Sequence, residues 1–208
     1  AGILLKTGAY GLLRFVWPLF PDAALAFAPI AMGLGVLSVL YAAKLAFAQN
    51  DLKRLIAYTS ISHMGFVSLG IFAWNHLSLQ GTVMQMVGHG LSSAGLFAIA
   101  GLLQQRLHTR ALDQMGGLWA LMPKLATLSM VFALATLGLP GLANFIGEFM
   151  ILLGAFQIEP WAASLAALAM ILAPVYALVI MQKGFFGMAV GDKTKALDLN
   201  ARELLMLG

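Results

Sequence analysis

The chain has 208 residues, of which 61% are hydrophobic and only 10% charged, with a formal net charge of +4 and no cysteine. Soluble domains carry roughly 45 to 50% apolar and about 25% charged residues, so this chain lacks the polar surface needed to coat a water-soluble globule. The absence of cysteine excludes disulfides, iron–sulfur ligation and thiolate zinc sites, so any electrons are carried elsewhere.

At roughly 20 residues per span plus short connections, the length suits about six transmembrane helices, an all-α polytopic bundle. The first apolar run, 1–17, contains Lys6 and lacks the basic start and small-residue cleavage site of a signal peptide. Further helices are expected at 29–48, 52–73, 79–105, 123–157 and 161–186, with 187–208 forming a polar connection and the start of another helix. On these ends the chain reads as an internal piece of a longer polytopic protein. The fifth run is too long for one straight span and holds Leu139-Pro140-Gly141 at its middle, which predicts a broken helix because proline lacks the N–H and clashes with the preceding turn.

Charge is distributed unevenly between connections. Lys44, Lys53 and Arg54, then Arg106, Arg110 and Lys124, then Lys183, Lys193 and Lys195 occupy alternate connections, and Asp22, His76 and Glu159 occupy the others. The positive-inside rule puts the basic set on the cytoplasmic side, which accounts for the net charge without nucleic acid as a partner.

Ionisable groups within spans cost several kcal/mol unless they find a partner, water or the interface. Four candidates stand out: Lys6, His63, His89 and Glu148. For Lys6 the alternative is a side chain that snorkels to the interface. His63 follows the hydroxyl-rich Tyr58-Thr59-Ser60-Ile61-Ser62, and His89 precedes Ser92 and Ser93. Imidazoles beside hydroxyls can pass protons along ordered water, and the alternative is a pair of neutral histidines that pin helix packing. Glu148 follows the break with Asn144, where a helix N-terminus favours a carboxylate; its alternative is a helix cap. Broken helices recur in ion-coupled transporters, which makes Glu148 the strongest site. No dinucleotide glycine motif, metal-ligand cluster or nucleophile–base pair is present.

Three motifs carry a resemblance: Asp51-Leu-Lys-Arg-Leu-Ile-Ala-Tyr-Thr-Ser-Ile-Ser-His-Met-Gly65, His89-Gly-Leu-Ser-Ser-Ala-Gly-Leu-Phe97 and Thr136-Leu-Gly-Leu-Pro-Gly-Leu-Ala-Asn-Phe-Ile-Gly-Glu-Phe-Met150. In this order and spacing they resemble the antiporter-like membrane subunits of respiratory NADH-quinone oxidoreductase (complex I). L-type subunits and multisubunit sodium/proton antiporters usually have a lysine where Ser93 stands, and L- and N-type subunits usually have a lysine on the broken helix, where Glu148 stands. Both departures point to the M-type branch.

The resemblance implies helices eight to thirteen of a fourteen-helix fold, half of an antiporter-like subunit. Lys6 matches the family's central relay lysine, His63 and His89 its bridging histidines, and Glu148 its terminal carboxylate, with Ser62, Ser92, Ser93, Pro140 and Asn144 in support. The family's glutamate–lysine pair lies upstream of Ala1. It further implies that NADH, FMN, iron–sulfur clusters and quinone are bound by other subunits and that this chain binds no cofactor. Its implied partners are L-type and N-type membrane subunits and the lipid bilayer, in a bacterial inner membrane. A cation/proton antiporter or membrane-bound hydrogenase subunit, and a purely structural membrane-arm scaffold, are the competing readings.

Overall fold

The computed structural model describes residues 2–187 and 197–207. Helix α1 (Leu4–Gly11) continues through a wide π turn, Leu12–Val16, into α2 (Trp17–Leu19). Then come α3 (Pro21–Phe47), α4 (Leu52–Ala73) and α5 (His76–Leu107). A short 3-10 turn, Leu112–Gln114, and α6 (Leu118–Leu121) lead to α7 (Pro123–Leu137) and α8 (Ala143–Ile158). The last span, α9 (Pro160–Ile180), ends in a second π turn, Met181–Phe185, and α10 (Ala201–Leu207) follows. The bundle is all-helical among the described residues, with four helices long and apolar enough to cross a membrane and two shorter apolar ones, α7 and α8.

Several boundaries differ from the sequence expectation. α3 begins at Pro21 rather than 29, because Pro21 has the backbone angle suited to a helix start and the missing N–H costs nothing there. Asp22 therefore lies in the first turn of α3 rather than in a connection, and Pro29 is accommodated inside it. His76 likewise opens α5, behind Asn75, whose side chain accepts from Ser78 N at 2.8 Å while Ser78 Oγ accepts from Asn75 N. Asp51 caps α4 in the same manner, accepting from Arg54 N at 3.0 Å.

The expected break is present. Gly138, at φ +78, ends α7 in the left-handed conformation that glycine adopts without strain, and its N–H and that of Leu139 donate to Ala135 and Leu134. Pro140, exposed two residues later, cannot continue the helix, and α8 starts at Ala143.

The basic connections gather at one end. Leu52 N donates to Arg110 O and Leu112 N to Asn50 O, while Gly116 N donates to Lys183 O. Arg106 donates to Leu197 O and pairs with Glu203 at 2.6 Å. Asp198 accepts from Lys124 N and Leu125 N, capping α7 from the far end of the sequence. Lys193 and Lys195 lie outside the described residues. At the opposite end Trp17 stacks on Trp74 at 3.8 Å and Trp161 donates to Glu159, as expected of amphipathic rings at a membrane interface.

Two close helix contacts position the interior. α3 and α4 cross where Gly35 meets Gly65. α5 and α8 run together along glycines spaced by seven on each partner, Gly81 and Gly88 against Gly147 and Gly154. Small residues allow this backbone approach, which drives association where water offers no hydrophobic force between helices.

A Cβ at position 147 would lie 2.7 Å from Gln85 N, so neither side can relax by turning a side chain. Gly147→Ala is expected to destabilise the full-length protein by about 1–3 kcal/mol, read as a lower melting temperature in detergent. Gly101→Ala, where a Cβ meets nothing within 4 Å, should leave stability unchanged or raise it by up to about 1 kcal/mol. Burial alone would raise the Asp198 pKa, but the backbone N–H groups of Lys124, Leu199 and Leu125 and the Lys124 charge outweigh it and hold the carboxyl below its ordinary 3.8. A depressed folded-state value means the cap contributes stability above that pH and loses it as pH falls further. Faster amide exchange at Lys124 and Leu125 is expected in Asp198→Asn than in wild type at neutral pH, the difference closing below about pH 3.8.

Candidate functional site

The interior polar groups converge on Glu148. α8 presents Asn144, Gly147 and Glu148 toward α5, α5 presents Gln85, His89 and Ser92 at helical spacing on one face, and His63 comes from the middle of α4. The Glu148 carboxylate is buried, with His63 Nδ1 2.6 Å and Gln85 Nε2 2.8 Å from the same oxygen, Oε1. Its other oxygen, Oε2, faces the helix break, 3.5 Å from where a Cβ on Gly138 would stand. With the carboxylate ionised and the imidazole neutral, Nδ1 carries the hydrogen in this pair and Nε2 keeps its lone pair. Tyr176 of α9 meets that nitrogen, its hydroxyl 3.2 Å from His63 Nε2.

His89 lies against His63 with ring centroids 4.7 Å apart and planes tilted by 35°. Both of its ring nitrogens are buried without a hydrogen-bond partner among the described residues, as is Gln85 Oε1. Beyond it, Asn144 Nδ2 donates to Ser92 Oγ at 3.1 Å, tying α8 to α5 beside the break. Lys6 is buried on α1, within electrostatic reach of His89.

The structure thus brings His63, His89 and Glu148 together and sets Asn144 and Ser92 next to them. Three other expected members are placed differently. Ser62 Oγ donates to Val39 O at 2.8 Å, pinning α4 to α3, and Ser93 Oγ turns to Gly90 O at 3.4 Å. Pro140 is exposed in the turn between α7 and α8. The hydroxyls before His63 do not bond it, since Thr59 donates back to Ile56 O. Nor is Glu148 a helix cap: it lies in the second turn of α8, whose first turn has no acidic residue and no side-chain cap.

Gln85 and Tyr176 are not singled out by the sequence reading. Gln85 had a usable signal, a polar amide four residues before His89 in an apolar run. Tyr176 had none, because a tyrosine among alanines and leucines reads as a packing residue. Among the described residues no group of three or more His, Asp or Glu is arranged to hold a metal ion.

Comparison with known proteins adds the following. The profile of the family described as NADH:quinone oxidoreductase/Mrp antiporter, TM, matches residues 1–173. The NADH-quinone oxidoreductase subunit M of Pseudomonas aeruginosa is 53% identical over 207 residues, 100% of this chain and 40% of that protein. Subunit M of Escherichia coli K12 is also 53% identical, over 209 residues, 100% of this chain and 41% of its own length. The chain therefore spans about two fifths of the length of the curated relatives it matches. Among solved structures, respiratory complex I from Thermus thermophilus with bound NADH superposes with a TM-score of 0.91 at 38% identity, over 97% of this chain and 43% of that one. The Mrp complex from Dietzia sp. shares the fold, with a TM-score of 0.84 at 21% identity over 92% of this chain and 36% of that one.

Replacing Gln85 by Leu keeps the volume and removes one donor from a buried carboxylate. A hydrogen bond to a charged group is worth about 1.5–3 kcal/mol, and Gln85→Leu is expected to lower stability by that order, measured by thermal denaturation of the full-length protein in detergent.

Proposed function

Because the chain belongs to the NADH:quinone oxidoreductase/Mrp antiporter transmembrane family, we propose that it forms part of the proton-translocating, antiporter-like M-type membrane subunit of an NADH-quinone oxidoreductase. The 53% identity to subunit M across the whole chain supports this branch, whereas the likeness to the Mrp complex, at 21% identity, is one of fold. The multi-pass bundle sits in a bacterial inner membrane with its basic end cytoplasmic. Its neighbours are other membrane subunits of the complex, L-type and N-type among them. NADH, FMN, iron–sulfur clusters and quinone belong to other subunits, and this chain's share is the movement of protons.

The observation that carries the reading is the buried His63–Glu148 pair, 2.6 Å apart beside a helix break at mid-bundle depth. Protons pass among Lys6, His89, His63 and Glu148. The two unpartnered ring nitrogens of His89 call for two hydrogen-bonding groups, a demand that water between Lys6 and His63 would meet. In a medium where charge is poorly solvated, the charge on one member sets the cost of charge on the next, so loading one site empties its neighbour. Glu148 is the terminal acceptor, with Oε1 turned to His63 and Oε2 to the break.

The test is proton translocation per electron pair in the assembled complex containing the full-length chain with Glu148→Gln, with assembly checked alongside. Stoichiometry should fall while assembly and upstream NADH oxidation persist. Wild-type stoichiometry would overturn the relay, and wild-type pumping after joint neutralisation of Lys6 and Glu148 would favour a scaffold.

A further inference from the structure

Tyr176 is not among the relay residues, yet its hydroxyl is the group that meets the second nitrogen of His63. The side chain is fully enclosed among Ala43 and Ala46 of α3 and Ala173 and Ala177 of α9, with Phe47 edge-on at 6.2 Å. Small neighbours and one aromatic contact hold the ring in place, so the hydroxyl sits where the backbone puts it. With Nδ1 committed to Glu148, a proton that enters His63 can only bond to Nε2, on the Tyr176 side.

We propose that Tyr176 is a positioning residue for proton transfer through His63, holding the imidazole with Nδ1–H toward Glu148 and partnering Nε2 both before and after that nitrogen takes a proton. The proposal rests on the relay reading above and deepens it. In the first state the phenol O–H donates to the Nε2 lone pair. As the hydroxyl turns about its C–O bond and frees that lone pair, a proton supplied from the Lys6 and His89 side bonds to Nε2, and the Nδ1–H proton passes to Oε1 of Glu148. His63 returns to neutral as the other tautomer, and the carboxylate becomes a carboxylic acid. The turned hydroxyl accepts from the new Nε2–H, so neither end state leaves a buried nitrogen unpaired. Phenylalanine can do neither.

Among the described residues the titratable and charged groups near this pair are few. α4 contributes His63 and, against the same cluster, Tyr58; α8 contributes Glu148; His89 of α5 lies against His63, and Lys6 of α1 is within electrostatic reach of His89. α3 offers Ala43, Ala46 and Phe47, with Lys44 on its exposed side, and α7 offers Leu137.

The experiment uses the full-length chain in the assembled complex, with Glu148→Gln measured in parallel. Tyr176→Phe should keep assembly and upstream NADH oxidation but lose proton stoichiometry and shift the pH profile of pumping. Difluorotyrosine at 176 preserves the ring's shape, so it decides the matter independently of any folding defect in the phenylalanine variant. Its hydroxyl is a stronger donor and weaker acceptor, which disfavours proton uptake at Nε2 and should move the profile to lower pH. If both Tyr176 variants keep wild-type stoichiometry and profile while Glu148→Gln loses pumping, Tyr176 only packs and the proposal falls with the relay intact. If Glu148→Gln also pumps normally, the relay falls and the proposal with it.

Discussion

A carboxylate in the middle of an apolar bundle must find donors, and the way Glu148 finds them constrains the rest of the structure. Placing an acidic group at the centre of a span costs about 3 kcal/mol on insertion scales. Two hydrogen bonds to a charged acceptor, each worth about 1.5–3 kcal/mol, offset that cost only if both donors are within bonding distance. Here they are His63 and Gln85, which lie 85 and 63 residues away along the chain. Three helices, α4, α5 and α8, are thereby held in one register, and a slip of one turn in any of them would strand the charge.

The glycine seam is the complement of that constraint. Gln85 reaches Glu148 only because the backbones of α5 and α8 approach along Gly81, Gly88, Gly147 and Gly154. The break between α7 and α8 contributes differently. Side chains on a helix lean toward its N-terminus, so a glutamate in the second turn of α8 brings its carboxylate back beside Gly138. A polar group therefore stands where the backbone itself is interrupted.

Much of the architecture was legible because the membrane leaves few choices. Apolar runs of the right length become helices, and Gly138 with Pro140 marks where one must stop. His63, His89 and Glu148 were legible for a related reason: a titratable side chain in such a run is costly and needs an explanation. Ser62 shows the limit of that logic. It precedes His63 in sequence, but adjacent residues on a helix point about 100° apart, and its hydroxyl serves α3 instead. Asp22 shows another limit, since a charge near a proline marks a connection and the first turn of a helix equally well.

Composition, apolar run lengths and a few titratable residues by themselves determined that this chain is a membrane bundle with a broken helix and a small set of titratable side chains within its spans. Which of those side chains meet was decided only by the tertiary structure. His63 could have bonded its neighbouring hydroxyls, and Glu148 could have capped α8; the packing of α4, α5, α8 and α9 pairs them with each other and adds Gln85 and Tyr176. Periodicity specifies which face of its own helix a residue occupies. What stands opposite that face depends on helix crossings set by glycines and hydrogen bonds dozens of residues apart, and no local pattern encodes them.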